Sequence, residues 1–123
     1  MNLDAPEIML NGIAYVPKTS AIQKAEQVDG LDYVIVRTYT AGVFAGYLKE
    51  KDGKDVVLLN ARRLWYWVGA ASLSQLSAVG TSRPSECKFP CEVSRVELTE
   101  AIEILQVAAA AQKSIAGVPI WQA

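Results

Sequence analysis

Tyr33-Val34-Ile35-Val36-Arg37-Thr38-Tyr39-Thr40 is the stretch whose reading decides the fold. β-Branched and aromatic residues fill it almost without a break, which is the composition of a strand. Successive side chains of a strand alternate between faces. Val34, Val36, Thr38 and Thr40 therefore share one face, and Tyr33, Ile35, Arg37 and Tyr39 share the other. Gly42 then makes a turn or bulge. Val43 to Glu50 and Asp55 to Asn60 read as a hairpin around Lys51-Asp52-Gly53-Lys54.

Upstream, Ile8 to Pro17 carries Asn11-Gly12 between apolar triplets, a second hairpin signal. Pro17 cannot donate to a ladder and should end its strand at a sheet edge. Ser20 followed by Gln23 has the spacing of a capping box, so a short helix is expected from Ala21 to Val28, stopping at Asp29-Gly30.

Downstream lies the densest run of the chain: Asn60-Ala61-Arg62-Arg63-Leu64-Trp65-Tyr66-Trp67. It is expected to turn a tight corner at Asn60-Ala61 and continue as a strand from Arg62 to Val68. Arg62, Leu64 and Tyr66 would then share one face, and Arg63, Trp65 and Trp67 the other. Gly69 to Val79 reads as a loop with one helical turn, and Gly80 to Glu86 as a loop. Phe89 to Leu98 reads as a strand, bulged where its apolar alternation slips between Val93 and Val96. Thr99 is the expected N-cap of a long last helix, with Glu100 complementing its dipole. That helix should end at Gly117, with Pro119 beyond. Val107 to Ala111 has no polar face, so the helix is expected to be buried on several sides.

The fold class that follows is α+β. It has a mainly antiparallel, bent sheet of five to seven strands, with one long C-terminal helix packed on it. The 123 residues form one domain, with the hairpin and short helix in 1–30, strands in 31–98 and the helix in 99–117. The expected core includes Val34, Val36, Phe44, Val57, Leu59, Trp65, Ile102, Leu105 and Ile115. A homo-oligomer with the last helix near its interface is also expected.

Composition narrows the function. The chain is 51% hydrophobic and 20% charged, with a net charge of −1. That balance argues against a wholesale grip on duplex DNA, where affinity comes mostly from cation–phosphate contacts. Cys87 and Cys91 are four apart; in an extended strand that spacing is about 13 Å, too far for a disulfide. They read as reduced, small hydrophobes. No window approaches a membrane span, and the first residues lack the pattern of a signal peptide, so a cytoplasmic location is expected.

The chain has no histidine, which removes the commonest general base and metal ligand. Walker and Rossmann glycine spacings and a nucleophile elbow are missing too. No catalytic residue, metal site or cofactor is assigned, and enzymatic activity is not expected. A binding surface has more support. Guanidinium groups fork onto phosphates, and aromatic faces stack on bases. Arg37, Tyr39, Arg62, Arg63 and Tyr66 could form such a site on a sheet. Ser72 and Gln75, after a glycine and alanines, could add an anion cradle. The competing reading makes the aromatics core, the arginines internally paired and the serine part of a turn.

Arg37-Thr38-Tyr39-Thr40-Ala41-Gly42-Val43-Phe44-Ala45-Gly46 and the run from Asn60 to Leu76 resemble a family of small uncharacterised proteins encoded by tailed bacteriophages. The likeness extends over residues 33 to 121, through Cys87-Lys88-Phe89, Leu98-Thr99-Glu100-Ala101-Ile102-Glu103 and Val118-Pro119-Ile120-Trp121. It implies viral origin, expression in the cytoplasm of an infected bacterium and no enzyme activity. The expected role is binding and sequestering a host protein or a nucleotide-type ligand. The alternative is a virion component, such as a decoration or accessory head protein.

Overall fold

The computed structural model describes residues 23–122. The Asn11-Gly12 hairpin lies outside them. Five strands, β1 (Tyr33–Thr38), β2 (Val43–Asp52), β3 (Asp55–Arg63), β4 (Glu92–Leu98) and β5 (Ala101–Gln106), form one antiparallel sheet in the order β4-β3-β2-β1-β5. Two short helices, α1 (Leu73–Val79) and α2 (Ala109–Ala116), accompany it. The architecture is α+β, as expected.

The connection from β4 to β5 dictates the shape of this sheet. These strands occupy opposite edges, yet only Thr99 and Glu100 join them. Three Cα–Cα steps reach at most ~11 Å. Crossing four inter-strand spacings in a flat sheet would take about 19 Å. The sheet must therefore roll until its edges meet at this corner. Two backbone bonds pin the link: Tyr39 N–H donates to the Glu100 carbonyl at 3.0 Å, and Ala101 N–H to Lys54 at 3.1 Å.

Bulges supply the curvature, since an extra residue bends its strand and increases the twist. Asn60 and Ala61 together oppose Gly46, Lys49 is extra on β2, and Ile102 is extra on β5. Asn60 takes φ +49°, a conformation asparagine tolerates. A Cβ on Gly46 would lie only 3.0 Å from the Ala61 Cα, so the bulge needs glycine there.

Rolling divides the apolar residues into two clusters. Inside are Val34, Val36, Phe44, Val56, Leu58, Ala61 and Leu98, with Ile104 and Leu48 partly buried beside them. On the outer face Tyr33, Ile35, Ala45 and Leu64 pack under Leu76, Phe89, Val107, Ala111, Ile115 and Val118. The alternation read from residues 33–36 is thus realised, and β1 is buried on both faces.

Several expectations are corrected. The long helix over 99–117 is two elements: β5, then an eight-residue α2. β1 has a second edge that needs a partner, and Ile104 and Leu105 fill opposite clusters when Ala101–Gln106 pairs with it. A helix would have left that edge open. Thr99 caps no helix; the N-cap of α2 is Ala108, and the amides of Ala108 and Ala109 donate to the carbonyls of Ser77 and Gln23. The helix does end at Gly117.

No strand runs from Arg62 to Val68. β3 continues through the Asn60 bulge and stops at Arg63. β4 pairs with β3 without a register shift rather than with a bulge, and Val93 on it is exposed. Residues 23–28 are not helical. They run along the β5–α2 junction, where Ala25 N–H donates to the Val107 carbonyl at 2.9 Å. Of the expected core, Trp65 and Ile102 are exposed, and Leu59 and Leu105 are only partly buried.

Candidate functional site

Arg62 and Arg63 are adjacent on β3, so they point to opposite faces of the sheet. Arg62 is opposite Ala45, on the helix-covered face; Arg63 is opposite Phe44, which belongs to the inner cluster. Arg62 is only 7% exposed. Its Nε donates to the Pro90 carbonyl at 3.0 Å and its Nη1 to Ile115 at 2.9 Å. Nη2 donates to Phe89 at 3.0 Å and to Pro119 at 3.1 Å. The guanidinium also sits 5.5 Å from the centre of the Phe89 ring. One side chain thereby ties the β3 end, the 89–90 segment and the C-terminal end of α2 together.

The remaining predicted site residues do not gather around it. Arg63 lies over the Phe44 ring at 4.3 Å and donates to the Ala41 carbonyl. Arg37 forms an exposed ion pair with Glu103 at 2.8 Å, across the β1–β5 ladder. Tyr39 is 74% exposed beyond the end of β1. Ser72 is the N-cap of α1 and accepts from Gln75 N–H at 3.1 Å; the Gln75 side chain accepts from Ala71 N–H at 2.9 Å. The first bond satisfies a free amide of the helix start, and the second ties the residue before the cap to the first turn.

Tyr66 belongs to a different constellation. Trp65 and Trp121 stack with ring centres 5.1 Å apart and planes 13° from parallel. Tyr66 tilts beside Trp65 at 6.5 Å. The Lys88 ammonium stands 5.5 Å from the rings of Trp65 and Tyr66 and 5.8 Å from Trp121. Trp65 remains 58% exposed, Tyr66 45% and Trp121 39%. Backbone bonds hold the three contributing segments side by side. Lys88 N–H donates to the Tyr66 carbonyl at 2.8 Å, and Trp121 N–H to Phe89 at 3.0 Å. Phe89, fully buried, anchors the centre of this small frame. The result is an exposed aromatic platform with one cation over it.

A cleft of about 260 Å³ shares a segment with the platform. Val118 and Ile120 line the cleft, and Trp121 completes the platform. Its polar lining is Tyr33, Tyr47, Arg62, Glu92 and Gln112. The two tyrosine rings meet edge to face at 5.1 Å. Burial, reinforced by Tyr47 and Glu92, pushes the Tyr33 phenol well above its ordinary range. Burial also raises Tyr47 and pulls Arg62 down. Tyr33 thus stays a neutral phenol at neutral pH.

Sequence reasoning missed Lys88, Trp121, Glu92, Gln112 and the two cleft tyrosines as site residues. Ile120-Trp121 following a helix-ending Gly117 and Pro119 was the available signal, since a bulky aromatic past a stop needs a surface to lie on. Among the described residues no three potential metal ligands cluster. No helix there is long and apolar enough to cross a membrane.

No curated protein and no solved structure matches the chain. One family does: its match runs over residues 31–115, from just before β1 into the last turn of α2, and takes in Arg62, Trp65, Lys88, Glu92 and Gln112. The chain belongs to that family, described as Domain of unknown function (DUF6948).

Proposed function

We propose that this chain is a non-enzymatic accessory protein of a tailed bacteriophage that binds and sequesters a nucleotide-type ligand in the infected bacterial cytoplasm. The observation that carries the reading is the exposed Trp65–Trp121 stack with Lys88 over it. Large indoles left half in water are costly unless something covers them. A flat base is well matched to that surface, because stacking on an aromatic side chain is worth about 1–3 kcal/mol. Lys88 supplies a cation within reach of a phosphate. The absence of histidine, and of any catalytic motif in the sequence, supports a role in binding rather than turnover.

The second reading, a virion subunit, has its own observation. Among the described residues β4 pairs only with β3 and β5 only with β1, and Val93 and Ile102 are exposed on these strands. Open edges of this kind recruit further strands.

Tryptophan fluorescence during titration with mononucleotides separates the two. The binding reading predicts saturable quenching, weakened about tenfold by Trp65→Ala or Trp121→Ala with little change in melting temperature. A flat titration with every nucleotide would sink it, and high copy number in purified particles would then support the virion reading.

A further inference from the structure

The cleft over Arg62 carries opposite chemistry on its walls. Arg62 and Glu92 are register partners on β3 and β4, yet they make no ion pair. The reason is geometric: four of the five guanidinium N–H groups are committed to the carbonyls of residues 89, 90, 115 and 119. The fifth, on Nη1, has no acceptor among the described residues. Glu92 is exposed and, among the same residues, accepts no hydrogen bond, so its two oxygens remain available. The Tyr33 hydroxyl lacks a partner there as well, although the residue is only 6% exposed. Buried polar groups are normally satisfied, so the Tyr33 hydroxyl and the fifth Arg62 N–H, with the free Glu92 carboxylate beside them, suit a polar ligand.

The lining also limits the shape of that ligand. Tyr33 and Tyr47 give it aromatic walls, and Val118 and Ile120 aliphatic ones. At about 260 Å³ the space falls just under the ~300 Å³ where drug-sized pockets begin. One planar ring system suits it better than an extended chain.

We propose that this cleft recognises a purine base with the hydrogen-bonding pattern of guanine. The inference rests on the reading of the chain as a nucleotide binder, and it names the base. Glu92 accepts from the N1–H and the exocyclic amine. The one free N–H of Arg62, with the Gln112 amide, serves the edge that carries the O6 and N7 acceptors. Adenine is excluded by the same groups, because it would set the lone pair of N1 against the carboxylate. A site that leaves polar groups unpaired with the wrong ligand discriminates strongly. In this placement the base enters the cleft instead of stacking on the platform: the shared 118–121 segment leads toward Trp121, which would cover the sugar, and Lys88, which would meet the phosphate.

Calorimetric titration of the full chain with guanosine, inosine and adenosine monophosphates tests the assignment. Guanosine monophosphate should bind about tenfold or more tighter than adenosine monophosphate. Inosine monophosphate, which keeps N1–H but lacks the amine, should fall between them. Glu92→Gln should weaken guanosine monophosphate by about the same factor and strengthen adenosine monophosphate, because the amide removes the repulsion at N1 and can donate to it. The inosine comparison needs no variant, so it stands even where Glu92→Gln fails to fold. Equal binding of all three, weakened by Trp65→Ala and unmoved by Glu92→Gln, would overturn the cleft assignment and leave the platform reading intact. No binding of any nucleotide would overturn both.

Discussion

The inside of the rolled sheet and its helix-covered outer face share β1 but are assembled differently. Inside, Val34, Val36, Phe44, Val56, Leu58 and Ala61 come from three consecutive strands joined by tight turns, Leu98 of β4 closes the cluster, and none of the seven is polar. Outside, Ile35 and Ala45 meet residues from as far apart as Ala25 and Val118, and Arg62 ties them through four carbonyls. The inner cluster is scaffold, built mainly on local connections and completed by Leu98 and Ile104. The outer face is a junction of distant segments, and the cleft and aromatic platform lie where those segments meet. A junction built from backbone carbonyls and one guanidinium leaves polar groups and ring faces at its margin, which an aliphatic interior does not.

Removing the tie should have the largest effect. Arg62→Ala strands four carbonyls and should cost upwards of about 3 kcal/mol in denaturant unfolding. Arg62→Lys should recover little, since one ammonium cannot reproduce the fork. A loss below about 1 kcal/mol would mean that the outer face does not depend on this side chain. Leu58→Ala, inside the roll, should cost about 2–5 kcal/mol through the cavity it leaves, with ligand binding unchanged once the protein is folded. Impaired binding in that folded variant would blur the division between scaffold and junction.

Smaller effects sharpen the same contrast. Ser72→Ala should cost about 1 kcal/mol, because Ser72 caps α1 rather than a ligand; lost nucleotide affinity at unchanged stability would reverse that role. Arg37→Ala should shift unfolding by less than about 1 kcal/mol, since its pair with Glu103 is exposed. The weakest effect is acid dependence at Asp32. Hydrogen bonds from Gln27 and Lys24 hold its carboxyl below the usual value. A depressed carboxylate stabilises the fold above its unfolded pKa of about 3.9, and that contribution fades as pH falls through the folded value. Asp32→Asn should therefore flatten the melting temperature between pH 5 and pH 3 slightly; an unchanged slope would remove Asp32 as a contributor.

What the sequence made legible follows the same division. Residues 33–36 announced both faces of β1 through their alternation, and Gly53 announced the β2–β3 hairpin, because strand faces and tight turns are local properties. β5 was illegible for the opposite reason. Thr99-Glu100 has the look of a helix start, and only the vacant edge of β1, more than sixty residues earlier, converts Ala101–Gln106 into a strand. The site divided likewise. Tyr66 lies on the platform, and Arg62 lies in the cleft as its internal tie. Arg37, Tyr39, Arg63, Ser72 and Gln75 lie elsewhere, because sequence proximity to an aromatic run does not fix which face a side chain takes. Trp121 and Lys88 join Trp65 only through a frame of non-local backbone bonds.

The most direct measurement is amide chemical-shift mapping of the labelled protein during addition of guanosine monophosphate. Perturbations should centre on Trp65, Tyr66, Lys88, Glu92, Gln112 and Trp121, while Val34, Val36 and Leu58 stay unmoved. Shifts centred instead on Arg37, Tyr39 and Arg63, or no shifts at saturating nucleotide, would contradict the assignment of function to the outer junction.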